Sequence, residues 1–99
     1  MIDLDDVRER IKEVYDPEIG INVVDLGLIY AIEEQEPGTL HIEMTMTTPG
    51  CPAHDTLSQA VEWAAAQAAG VSMVEIDVVW DPPWSPAFMS DEARAQLRI

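Results

Sequence analysis

A change of hydrophobic period midway along the 99 residues limits the fold more than any other feature. Leu40, Ile42, Met44 and Met46 alternate with His41, Glu43, Thr45 and Thr47, the period of a half-buried strand. Pro49 and Gly50 break that pattern. Leu57, Ala60, Val61, Ala64 and Ala68 then recur at helical spacing, and Gly70 is expected to close the helix. Val74, Ile76, Val78 and Trp80 alternate again. Strand, helix and strand in that order predict a helical crossover, which is right-handed in nearly all proteins.

The remaining segments attach to this unit. Asp3 is placed to cap a first helix whose buried face is Leu4, Val7, Ile11 and Val14, with Asp6 and Arg10 one turn apart. Tyr15-Asp16-Pro17-Glu18-Ile19-Gly20 ends it. Tyr30 to Glu36 reads as a strand, and Glu36-Pro37-Gly38-Thr39 as a type II turn into the strand from Leu40 to Thr47. Asp81-Pro82-Pro83-Trp84-Ser85-Pro86 is stiff and extended, and Ser90 caps a last short helix. The expected fold is α+β: a two-layer sandwich with a small mixed three-stranded sheet and helices on one face, in the order α-β-β-α-β plus a short C-terminal helix, as a single domain over 1–99.

Four places bear on function. Asp25 interrupts an apolar stretch, Val23 to Tyr30, where a buried and unpaired carboxylate is costly. It is either a turn residue or faces a site. Cys51 falls at the expected N-cap of the central helix, with Pro52 at the first helical position. Free N–H groups and the helix dipole there favour thiolate, which attacks electrophiles and binds soft metals. A small buried cysteine at a tight turn is the alternative. Trp63, off the apolar stripe, either packs under a loop or marks an interface. Trp84, Phe88 and Met89 either fold back over the core or present a docking surface.

Charge and composition exclude several classes. Five Lys and Arg against nineteen Asp and Glu leave a net charge of -14, which repels nucleic acid and anionic membranes. No apolar run is long enough to span a bilayer, and the acidic start is unlike a secretory leader. One cysteine makes no internal disulfide. A cytoplasmic protein is expected. There is no phosphate-binding glycine loop and no zinc-protease motif. Cys51 and His54 are three apart, but a Cys–His nucleophile also needs an orienting group. His41 is expected to be a solvated cross-strand residue. A single thiolate falls short of the four ligands that structural zinc or a cluster usually takes. No stably bound cofactor is expected. A transient cluster bridged between two chains of a homodimer, or between this chain and a partner, is permitted.

Asp16-Pro17-Glu18, Val24-Asp25-Leu26-Gly27-Leu28-Ile29-Tyr30 and Met44-Thr45-Met46-Thr47-Thr48-Pro49-Gly50-Cys51-Pro52 together resemble the iron–sulfur assembly domain once catalogued as a domain of unknown function. Members include SufT-type bacterial proteins, the PaaD-type subunit of phenylacetyl-CoA epoxidation and the eukaryotic cytosolic iron–sulfur targeting factor. The stretch from Trp80 to Arg98 resembles the SufT-like tail. PaaD-type members carry a further cysteine-rich part that this sequence lacks, which favours the SufT side. The resemblance implies a non-enzymatic factor that helps carry or insert clusters into client apo-proteins, working with the assembly machinery. Its characteristic site residues fall on Asp25, Thr47 and Cys51, with Thr48 and His54 beside them and Cys51 as a transient metal contact. The competing expectation is a PaaD-like interaction module in which Cys51 is structural.

Overall fold

The computed structural model describes residues 2–16, 19–46 and 54–97, without the side chains of His54 and Asp55. Thr47, Thr48, Cys51 and the side chain of His54 therefore lie outside the described residues, and with them the expected cap of the central helix.

Helix α1 spans Leu4–Ile11. Asp3 caps it as expected: Oδ1 accepts from the N–H groups of Asp5 at 3.0 Å and Asp6 at 3.3 Å. The Arg10 Nε donates to Asp6 Oδ2 at 3.1 Å one turn away. Val7, Ile11 and Val14 are buried, but Leu4 in the first turn is exposed.

Strands β1 (Ile29–Glu36) and β2 (Thr39–Met44) form the hairpin. Gly38 has φ 84°, the conformation the third position of a type II turn requires. Strand β3 (Met73–Val78) returns parallel to β2, pairing Leu40 with Val74 and Met44 with Val78. The sheet order is β1-β2-β3. The hairpin makes one pair antiparallel and the helical crossover makes the other parallel, so the sheet is mixed.

Helix α2, His54–Ala66, carries the apolar stripe. Leu57, Val61, Ala64 and Ala65 join Leu40, Ile42 and Met44 in the core. The helix stops before Gly70. Gln67 and Ala68 bond back three residues, to Ala64 and Ala65. That tighter last turn leaves Gly70, at φ 85°, to reverse the chain one step later.

Two expectations about β2 are corrected. The strand ends at Met44 rather than Thr47: Thr45 leaves the ladder and its N–H bonds to the Leu28 carbonyl at 2.8 Å. Thr45, read as a wet-face residue, is instead fully buried. His41 is also less solvated than expected. Its side chain is 18% exposed, with Nε2 3.7 Å from Asp77 Oδ2. The parallel partner strand supplies Asp77 on the same face, two residues from the register partner Glu75.

A 3₁₀ turn (η1, Pro86–Phe88) and helix α3 (Asp91–Leu97) complete the chain. Ser90 Oγ accepts the Ala93 N–H at 3.1 Å, the expected cap. Met89 and Ala93 are buried in the core and Trp84 packs against it. The tail folds back.

Candidate functional site, the Asp25 turn and its brace

Val23 to Gly27 is a hydrogen-bonded turn between Asn22 and Leu28, closed at both ends by bonds like those of a helix. Asn22 is its N-cap: Oδ1 accepts the Asp25 N–H at 2.9 Å, and the Asn22 Nδ2 donates to Asp25 Oδ2 at 2.7 Å. The first bond is that of an N-cap; the second runs between the two side chains, where a capping box would use the cap's backbone N–H. Leu26 bonds to the Asn22 carbonyl. At the other end Gly27 (φ 81°) donates to Val24 and Leu28 donates to Val23. Those two bonds around a left-handed glycine are the Schellman pattern. Val23, Leu26 and Leu28 are buried while Asp25 is half-exposed. Asp25 is thus a turn residue whose carboxylate accepts from a side-chain amide and remains open to solvent on one side.

The C-terminal segment braces this turn from outside. Ser90 N–H donates to the Asp25 carbonyl at 2.8 Å. The Trp84 indole Nε1 donates to the Leu26 carbonyl at 2.7 Å. Phe88 covers Gly27 so closely that a Cβ there would overlap the Phe88 carbonyl oxygen and lie 2.8 Å from the Phe88 Cβ. The Phe88 ring meets Tyr30 edge-on, with centroids 5.8 Å apart and planes at 78°. The Tyr30 hydroxyl donates to the Pro82 carbonyl at 2.8 Å.

Tyr30 reaches the tail because β1 bulges there. The register steps from Ile29 opposite Met44 to Ala31 opposite Glu43, leaving Tyr30 as the extra residue. Burial raises the Tyr30 phenol above its ordinary pKa, and the nearby Thr45 hydroxyl opposes this in part. That approach falls short of hydrogen-bond geometry. Oγ1 of Thr45 is buried without a hydrogen-bond partner among the described residues. Beside the turn lies an open cleft of about 610 Å³, walled by Val24, Tyr30, Glu43, Asp81 and Phe88. Among the described residues its charged walls are the carboxylates of Glu43 and Asp81.

Of the five residues expected at the site, the structure places Asp25. Sequence reasoning missed Asn22, Trp84 and Ser90. An asparagine three residues before the aspartate was an available cap signal. The two tail contacts span more than sixty residues of chain in one case and 58 in the other, and no local pattern announces them. Among the described residues no three His, Cys, Asp or Glu side chains are grouped to hold a metal ion. No helix among them is long and apolar enough to cross a membrane.

A three-stranded mixed sheet backed by helices, with a capped Asp-Leu-Gly turn beside it, defines a small α+β domain. The chain belongs to the family described as iron-sulfur cluster assembly protein, whose profile matches residues 4–78. It is 40% identical to a protein of Porphyromonas gingivalis described as an Fe-S protein maturation auxiliary factor, over 94% of this chain and 89% of that one. It is 37% identical to the Bacillus subtilis Fe-S protein maturation auxiliary factor YitW, covering 96% and 93% of the two chains. The crystal structure of a domain of unknown function from Bacillus anthracis superposes with a TM-score of 0.90 at 35% identity, over 96% and 91%. The expected fold class and family are both borne out.

Proposed function

We propose that this chain is an auxiliary factor in iron–sulfur protein maturation, handling a cluster as cargo through Cys51. The observation that carries the reading is likeness along nearly the whole of both chains to proteins described as maturation auxiliary factors. In this reading Asp25, Thr47, Thr48 and His54 contact the cluster or the partner together with Cys51. One thiolate per chain is too few ligands for a stable cluster. That shortage suits hand-off: a second copy or a client completes the ligand set, and the cluster leaves with the stronger binder. The chain then needs no turnover chemistry of its own, and its partners are the assembly machinery and client apo-proteins in the cytoplasm. The rigidly capped turn supports this reading, because a fixed carboxylate orients an incoming partner better than a floppy one.

The test is a Cys51→Ser replacement in cells. Stability should stay within about 1 kcal/mol of the parent, while cluster-dependent dehydratases lose activity under iron limitation. Full dehydratase activity with this variant would refute the thiol role. Anaerobic reconstitution with iron and sulfide, followed by native mass spectrometry, distinguishes a cluster shared by two chains from none.

A further inference from the structure

Two large aromatic side chains, one on α2 and one just after α1, face solvent. Trp63 is 69% exposed and Tyr15 is 57% exposed. Neither is absorbed by the turn, its brace or the core. Trp63 stands between two grooves. One, about 600 Å³, runs between Tyr15 after α1 and Leu57, Ala60 and Ala64 of α2, with Glu13 at its margin. The other, about 360 Å³, runs between α2 and the start of β3, past Ala66 and Val74, with Glu62 at its margin. Neither shares a lining residue with the cleft beside Asp25.

The lining decides what fits. An exposed indole flanked by two apolar grooves matches the aromatic anchors that dominate protein interfaces. Both marginal charges are carboxylates, and among the described residues no lysine or arginine lines either groove. On α1 the Arg10 side chain pairs with Asp6, and Lys12, just past the helix, pairs with Glu9. A second copy is a poor occupant, because it would bring another net -14 to the contact. We infer that the Trp63 face docks a protein segment with apolar side chains about one helical turn apart and lysine or arginine along both borders. The apolar side chains enter the grooves on either side of the indole, and the basic ones meet Glu13 and Glu62. The inference does not draw on the thiol chemistry, so its test stands whether or not Cys51 carries a cluster.

The test titrates the ¹⁵N-labelled full chain with a synthetic helical peptide of about five turns, leucines on one face and lysines on the other. A second peptide carries glutamate at every lysine position. The lysine peptide should shift the Trp63 indole N–H and the amides of Ala60, Ala64 and Val74, leaving Asp25 and Tyr30 in place. Trp63→Ala should weaken binding at least about tenfold, and Glu62→Lys should weaken it and flatten its salt dependence. Equal binding of the glutamate peptide overturns the inference, as do shifts spread over the whole acidic surface or unchanged affinity in Trp63→Ala. A dimer in sedimentation equilibrium that Trp63→Ala dissolves would assign the face to a second copy and equally overturn it. Should Trp63→Ala lose its circular dichroism, the exposed Glu62→Lys decides alone: unchanged affinity is then the refuting result.

Discussion

Gly27 meets two separate demands. Its φ of 81° belongs to the left-handed region, and Phe88 occupies the space a side chain would need. Gly27→Ala adds backbone strain to a clash with main-chain atoms, and should cost roughly 2–5 kcal/mol, read as a lowered urea midpoint. Thr45 presents the opposite case. Its hydroxyl is fully buried and without a hydrogen-bond partner among the described residues, so no bond among them offsets the water it loses on folding. Thr45→Val should be neutral or stabilise by up to about 1 kcal/mol. A loss of cluster-enzyme activity with that gain in stability would mark the hydroxyl as retained for a ligand.

At the level of elements, the tail and the hairpin each hold a loop in place. The family profile stops at residue 78, yet the segment beyond it supplies both bonds to the Asp25 turn. Trp84→Phe keeps most of the ring's packing but leaves the Leu26 carbonyl without its donor. It should cost roughly 1–3 kcal/mol, and amide exchange should speed up first at Asp25 to Leu28. Uniform acceleration across the sheet would show that the tail stabilises the whole fold instead. In the hairpin, Glu34 accepts the N–H groups of Gly38 and Ile2, and these bonds hold its carboxyl below the ordinary value of 4.5. A lowered carboxylate pKa contributes stability that is present above 4.5 and lost as pH falls through the folded-state value. Acid unfolding of Glu34→Gln should therefore show a shallower slope below pH 4.5 than the parent, in urea melts taken at stepped pH.

Across the whole molecule, charge sets the sign of the salt response. At a net -14, self-repulsion opposes compaction, and the local pairs on α1 are few and exposed. Raising sodium chloride from low to physiological strength should raise the melting temperature, because screening weakens the repulsion more than it weakens those pairs. The same field opposes ionisation of any exposed thiol. Alkylation of Cys51 at fixed neutral pH should therefore quicken as salt is added. A rate independent of salt, and measurable only in denaturant, would put the sulfur out of solvent's reach.

The alternation of Leu40, Ile42, Met44 and Met46, the stripe from Leu57 to Ala64, and the Pro37-Gly38 turn were enough to set the element order and the buried face. These are short-range effects, in which side-chain period and backbone preference act within a few residues. Asp3 and Ser90 as caps were legible for the same reason. The Asp25 turn was only half legible: glycine and aspartate announce a turn, but its closure at both ends needed Asn22 and Gly27 to act together. What only the folded chain decided is what reaches Asp25 and Trp63. The backbone of Asp25 is met by Ser90 and that of Leu26 by Trp84, across long separations that no periodicity encodes. Trp63 is left bare, while the tail packs over Gly27 and Tyr30. Local pattern chooses helix or strand, whereas packing across distant segments chooses which polar groups are paired and which apolar ones still face water.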